Sequence, residues 1–369
     1  MHSRIFSRGV MVLPASASCL WVVVMLRVGF VHGMSMPTKQ RHPQNVAGSL
    51  FVDHSCIDCD TCRWMSSTVF GRTKAGLGGQ SVVYKQPESD AERKDAYAAM
   101  VACPTGSIRL ETPDPLMREV IGSFPRLIDP SMPGVFHLGF HDEMSFGATP
   151  YLVAGFAKDE AGNPVNVMMD TPRFSERLAK AIDAVGGLHY YLLSHKDDVA
   201  SMEKWKARFP GVKRVMHEAD ITTTQQWPYI DTTSVEIKLP GSEREWKLLP
   251  GLSAIHTPGH SQGSVTFIAS AAFTGGEACA FTGDHLCFSS RLGRIDGMGR
   301  YGWDTNLQAD SIRRLADEEF LWILPGHGRR YQFRDETERH AAITKAADDF
   351  KKDPLGKNAP GPVFSVVSQ

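Results

Sequence analysis

His256-Thr257-Pro258-Gly259-His260-Ser261-Gln262-Gly263 is the stretch whose reading decides the fold. It follows a short apolar run at Ala254–His256 and precedes another at Val265–Ala269, both of strand character. A Pro-Gly turn between two strands brings polar side chains to one edge of a sheet. Three other stretches repeat the arrangement: Ser194-His195-Lys196-Asp197-Asp198 after Tyr190–Leu193, Phe281-Thr282-Gly283-Asp284-His285 after Ala278–Phe281, and Leu324-Pro325-Gly326-His327-Gly328 after Leu321–Leu324. Imidazoles and carboxylates collected on separate strand ends are how a cleft assembles a metal site.

Working outward, short apolar runs alternate with helical patterns from Val135 onward, the rhythm of an α/β domain. Asn166 to Met169 reads as a buried strand ending at Asp170, and Phe174, Leu178, Ile182 and Val185 then recur at helical spacing. Met202, Trp205 and Phe209 mark a short helix, and Val212–Met216 a strand. Helices are expected over Asp310–Glu319 and Glu336–Lys351. Hydrophobic residues at 42% and charged residues at 22% are ordinary for a globular chain, and 369 residues suffice for about two domains. A net charge of −1 gives nothing global to attract nucleic acid or an anionic surface.

A second constellation lies upstream. Cys56-Ile57-Asp58-Cys59-Asp60-Thr61-Cys62 is C-x2-C-x2-C, and Cys103-Pro104 supplies a later cysteine. A loop with two residues between cysteines turns three soft thiolates toward one cluster, which then needs a fourth from elsewhere. A strand at Gln80–Lys85, a helix at Ala91–Ala102 and a strand at Ile108–Glu111 surround Cys103. Zinc on the same four thiolates is the alternative. The segment resembles single-cluster bacterial-type ferredoxins. That resemblance implies a 4Fe–4S cluster on Cys56, Cys59, Cys62 and Cys103, with Asp53, Asp58 and Asp60 nearby expected to lower its potential. Of seven cysteines, Cys279 and Cys287 read as small buried hydrophobes and Cys19 lies upstream of both constellations.

The histidine and aspartate motifs, Thr257-Pro258-Gly259-His260 and Thr282-Gly283-Asp284 above all, resemble the metallo-β-lactamase superfamily over about residues 135 to 335. The resemblance implies an αββα sandwich, with His260 at a first metal site, Asp284 as a bridging ligand, His327 at a second site, and Asp170 supporting the first histidine loop. The family's H-x-H-x-D-H loop is departed from here. His195 keeps the first position, Asp197 replaces the second histidine, and Val199 and Ala200 replace the last two ligands. Three outcomes stay open: one metal on His195, Asp197, His260 and Asp284; two metals, the second using Asp198 and His327; or none. The carboxylate at 197 makes the donor set harder, so iron competes with zinc more than on an all-imidazole set.

The expected organisation is therefore a leader over 1–44, a ferredoxin-like α+β domain over 45–112, a linker over 113–133 that wraps rather than packs, the αββα domain over 134–353, and a tail over 354–369. No Asp or Glu precedes Asp53, whereas Arg4, Arg8, Arg27, Lys39 and Arg41 are basic. Such a leader fits a targeting peptide, plastid ahead of mitochondrion. The apolar stretch from Cys19 to Val31 contains Arg27 and falls short of the ~20 residues a membrane span needs. The expected activity is metal-dependent hydrolysis of an acyl, thioester or lactone small molecule, with Asp284 and Asp197 as catalytic candidates. The alternatives are electron passage between cluster and cleft metal, with a ferredoxin-type or other electron-transfer partner, and a non-catalytic iron–sulfur protein. His137 and His141, at i and i+4 of a strand-like run, read as exposed polar positions, His256 as a loop-fixing residue, and Trp64, Trp205, Trp227 and Trp246 as packing residues.

Overall fold

The computed structural model describes residues 39–73 and 79–357. The leader falls almost wholly outside these residues, as do Cys19 and residues 358–369 of the tail. Of the segment assigned to the leader, Arg41 bridges to Asp53 as an isolated β-pair and His42 is buried, so the folded part begins several residues before 45.

Two sheets face one another. One has seven strands in the order Ile237–Leu239, Lys213–His217, Tyr190–Leu192, Val167–Met169, Tyr151–Val153, Val135–His137 and Arg126–Leu127, with its first four parallel and the rest antiparallel. The other has six strands in the order Glu245–Leu249, Leu252–His256, Val265–Ala269, Cys279–Gly283, Trp322–Pro325 and Tyr331–Gln332. Side chains alternate across each strand. Val167 and Met169 thus meet Phe267, Phe281 and Leu324 in the core between the sheets. Met168 faces outward with Leu178, Ile182, Met202 and Trp205 of the helices Glu176–Ala184 and Met202–Arg208. On the opposite side Ile255, Ala280 and Ile323 pack against the helices Thr305–Arg314 and Glu336–Lys352. The result is the expected αββα sandwich.

Upstream, Leu50–Val52 pairs with Ile108–Leu110 and Phe70–Arg72 with Ser81–Val83. The helix Asp90–Ala102 starts at a capping box, Ser89 with Glu92, which satisfies two otherwise orphaned amides, and it delivers Cys103 at its end. Residues 113–133 do more than wrap: Leu116–Gly122 is a helix, and Arg126–Leu127 is the edge strand of the seven-stranded sheet. Val120 and Phe124 join the cores of the two regions into one contiguous apolar cluster, from Leu50 and Tyr97 through to Leu152 and Trp205. Among the described residues no helix is long and apolar enough to cross a membrane.

Candidate metal centres

The first loop starts from Asp170, a residue with φ 53 at the end of its strand. The Ser194 amide donates to its Oδ1 at 2.8 Å and the Ser194 hydroxyl to its Oδ2 at 3.0 Å. That leaves Ser194 Oγ, 2.9 Å from His195 Nδ1, to accept the imidazole N–H. The tautomer so fixed turns an unprotonated Nε2 into the cleft, the usual device for presenting a histidine to a metal. That Nε2 is buried and has no hydrogen-bond partner. Gly283 is required beside it: a Cβ there would stand 2.4 Å from Ser194 Oγ. Replacing Ser194 with Ala is expected to weaken metal binding at the first loop about 10- to 100-fold, as removal of such supports does elsewhere, read by metal titration.

Around His195 Nε2 the other donors gather. Asp197 Oδ2 and Asp284 Oδ2 each lie 3.8 Å from it. His260 Nε2 lies 3.5 Å from Asp197 Oδ2 and 3.6 Å from Asp284 Oδ2. These separations are too long for hydrogen bonds. They are near the ~3.4 Å expected between tetrahedral ligands each about 2.1 Å from a common ion, and His195, His260 and Asp284 form a group whose donor atoms all lie within 4.8 Å of one another, with Asp197 beside it. The Trp227 indole donates to Asp197 Oδ1 at 3.1 Å, which leaves Oδ2 facing the imidazoles. Asp220, which the sequence did not flag, ties the two ligand loops together: it accepts from the Lys196 and Gly263 amides and the Ser261 hydroxyl.

A second group shares Asp284. Asp198, Asp284 and His327 each offer a donor atom within 4.8 Å of the others. Asp198 is fully buried and neither of its oxygens has a hydrogen-bond partner. Burial, then the adjacent Asp284 charge, hold its carboxyl well above the usual range, an unfavourable setting for an anion unless a cation joins it. A Cβ on Gly326 would lie 3.0 Å from Asp284 Oδ1 and 3.1 Å from Asp198 Oδ2, so this space is one only glycine leaves open. His327 Nδ1 is 2.7 Å from Asp284 Oδ1, and its Nε2 donates to the Phe146 carbonyl at 3.2 Å. Burial opposes a charge on this imidazole, but Asp284 outweighs burial and pushes it up to about 10. Val199 and Ala200 are buried in packing and take no part.

The cysteine loop winds through left-handed positions at Asp58 and Asp60, and Cys56, Cys59, Cys62 and Cys103 line one small cavity. The Ser81 and Asp58 amides donate to Cys56 Sγ at 3.4 and 3.5 Å. Burial pushes the Cys59 thiol up to about 12 and raises Cys56 and Cys62 as well, so charged sulfurs here need a cationic centre among them. The nearby acids do not stand alone. Asp53 pairs with Arg109, Asp58 with Arg63 and Arg72, and Asp60 with Arg63 and Arg329. Their expected pull on the potential is offset by these cations.

The histidines expected at exposed strand positions are buried instead. His137 Nε2 lies 2.8 Å from His141 Nε2, and His141 Nδ1 lies 2.9 Å from the Gly147 carbonyl and 3.4 Å from the Thr61 hydroxyl. The strand ends at His137, and Gly139 and Phe140 at positive φ turn the chain inward. His256 faces away from the cleft, stacked on His217, with its Nε2 bonded to the Gln262 carbonyl. Trp227 is half exposed and bonded to Asp197, so the expected packing role does not hold for it.

Residues 52–110 match the family model for the 4Fe-4S single cluster domain of Ferredoxin I. The chain thus joins a region matching a single-cluster 4Fe-4S domain to an αββα sandwich. Uncharacterized proteins of Mycobacterium bovis and Mycobacterium tuberculosis are 40% identical over 73 residues, 20% of this chain. The chain spans about a third of the length of these curated relatives, 32%. Among solved structures, a metallo-β-lactamase from Cronobacter sakazakii aligns with TM-score 0.41 at 14% identity, covering 61% of this chain and 96% of that one. The protein ETHE1 from Myxococcus xanthus aligns with TM-score 0.40 at 17% identity, covering 62% and 92%. An archaeal superfamily protein from Sulfolobus tokodaii gives 0.38 at 16% identity, covering 61% and 87%.

Proposed function

We propose that the cleft holds two metal ions bridged by Asp284 and hydrolyses an acyl, thioester or lactone small molecule. The observation that carries this reading is the group His195, His260 and Asp284, whose donor atoms lie within 4.8 Å of one another with His195 Nε2 unpaired, and Asp197 Oδ2 3.5 to 3.8 Å from the two imidazoles. Metal bound there would polarise the substrate carbonyl and lower the pKa of water toward about 7. The chain's own part is to fix the donors. Ser194 orients His195, Trp227 turns Asp197, Asp220 clamps the loops, and Gly326 leaves room for Asp198 beside Asp284. Carboxylates match imidazoles, three to three, among His195, Asp197, Asp198, His260, Asp284 and His327, so iron suits this set as well as zinc. Plastid delivery by the basic, acid-free leader belongs to the same proposal.

Anaerobic purification with elemental analysis, followed by a panel of esters, thioesters and lactones, tests the reading. The expected result is about four irons for the cluster, two further metal equivalents, and turnover on the panel. Protein filled with metal and idle on every substrate, or protein with only the cluster's irons, overturns it.

A second reading, electron passage between cluster and cleft, is favoured by one contact. A Cβ on Gly147 would stand 3.4 Å from Cys59 Sγ, and the preceding Phe146 carbonyl accepts from His327. One electron from a ferredoxin-type donor would leave the cluster and lower a cleft metal by one oxidation state. Rapid-freeze electron paramagnetic resonance after reducing the cluster would show that metal's signal change; an unchanged signal excludes this reading.

A further inference from the structure

Phe146, Trp227 and Tyr229 are exposed by 50%, 50% and 62%, yet they are not scattered. The Phe146 and Trp227 rings lie roughly parallel, with centroids 6.3 Å apart and planes 29° apart, and Tyr229 meets Trp227 edge-on at 5.9 Å. Single exposed apolar residues need no explanation, but a contiguous group does. Two of the three also sit where side chains rarely sit: Phe146 has φ 50 and Tyr229 φ 66. A bulky residue in that region is strained, and strain of this kind gathers at ligand sites. Neither exposure nor strain serves stability.

The stack is moored to both metal groups. Trp227 donates to Asp197 of the first group, and the Phe146 carbonyl accepts from His327 of the second. The stack is thus tied to each donor group, by the Trp227 side chain on one side and the Phe146 backbone on the other. A planar group held between two rings needs them about 7 Å apart, twice an optimal ~3.5 Å carbon contact. The present spacing is just short of that, so a small opening admits a flat ring, whereas a puckered ring is thicker. Phe146, Trp227 and Tyr229 offer faces rather than charges, and the partner that suits faces is another π-system.

We propose that Phe146 and Trp227, edged by Tyr229, form the acyl-side binding slot of the cleft and select substrates bearing an aromatic ring. This rests on the hydrolytic reading for its chemistry, but its test measures binding alone. The full chain, purified anaerobically with its metals, is titrated with phenylacetate and cyclohexylacetate, followed by tryptophan fluorescence and calorimetry. Phenylacetate is expected to bind about two- to tenfold more tightly, since a stacked aromatic pair adds to what area burial alone gives. Phe146→Gly and Tyr229→Gly are expected to erase that preference, and Tyr229→Gly, whose ring meets Trp227 but no donor residue, to do so with metal content and Tm retained. Equal affinity for the two acids, or a preference that survives both variants, overturns the proposal. So does sedimentation showing that the patch instead seats a second copy, with dimers lost in Phe146→Gly. An idle ester panel alongside a retained phenyl preference would sink the hydrolytic reading and leave the slot standing.

Discussion

Asp284→Asn is expected to strip the cleft of most of its metal and to lower hydrolysis about a thousandfold, while the iron–sulfur absorption stays intact. Asp284 is the one residue common to both donor groups, with Oδ2 facing His195 and His260 and His327 Nδ1 lying 2.7 Å from Oδ1 and 2.9 Å from Oδ2. An amide keeps the shape but removes the charge that two cations would share. A bound metal supplies several kcal/mol of transition-state stabilisation, and about 1.36 kcal/mol is tenfold in rate. Gly326→Ala separates the contributions. Its Cβ presses Asp284 Oδ1 and Asp198 Oδ2 but none of the atoms of His195 or His260, so one metal equivalent is expected to remain. Metal analysis and steady-state kinetics on the two variants check this. Full metal content in Asp284→Asn would show that Asp284 bridges nothing.

The residues of this centre were legible in the sequence because each follows its own strand, and strand-then-polar-loop is a local pattern. What became of the departures from the family loop was not. Val199 and Ala200 read as losses, and they are: both pack into the core. Asp198 comes to lie beside Asp284 and His327 instead, placed in the buried space by a short 3-10 turn at Lys196–Asp198. A turn of that kind depends on what the loop packs against, so spacing alone left one-, two- and no-metal outcomes open. Trp227 lay further out of reach, since its bond to Asp197 spans 30 residues with no periodic pattern between them. The same holds for Asp60, whose partner Arg329 lies 269 residues downstream. For His137 and His141 the error was one of period: spacing that shares a face on a straight strand means nothing once positive-φ residues bend the chain.

Asp60 and Cys59 carry the other large expected effect. The cysteine loop and the loop of His327 are fastened together twice. Asp60 accepts from Arg329 Nε at 2.9 Å and from the Ser290 hydroxyl at 3.1 Å, and Gly147 packs on Cys59 while its neighbour Phe146 holds His327. The apolar core beneath runs unbroken from the cysteine region into the outer layer of the sandwich. Four sulfurs facing one another without their cluster would leave that core beside an unfilled polar cavity, and a cluster, like a structural metal, contributes its binding energy to folding. Cys59→Ala is therefore expected to abolish the cluster's absorption and lower Tm by more than 10 °C, and to release metal from the Asp198, Asp284 and His327 group first. Asp60→Asn supplies the finer test, because it keeps all four cysteines and weakens only the fastening to Arg329. It should retain the cluster yet loosen metal at the second group while leaving the first unchanged. The two loops act as one unit if second-group affinity falls in both variants. They are independent neighbours if Cys59→Ala loses its cluster and still binds cleft metal as the unaltered chain does.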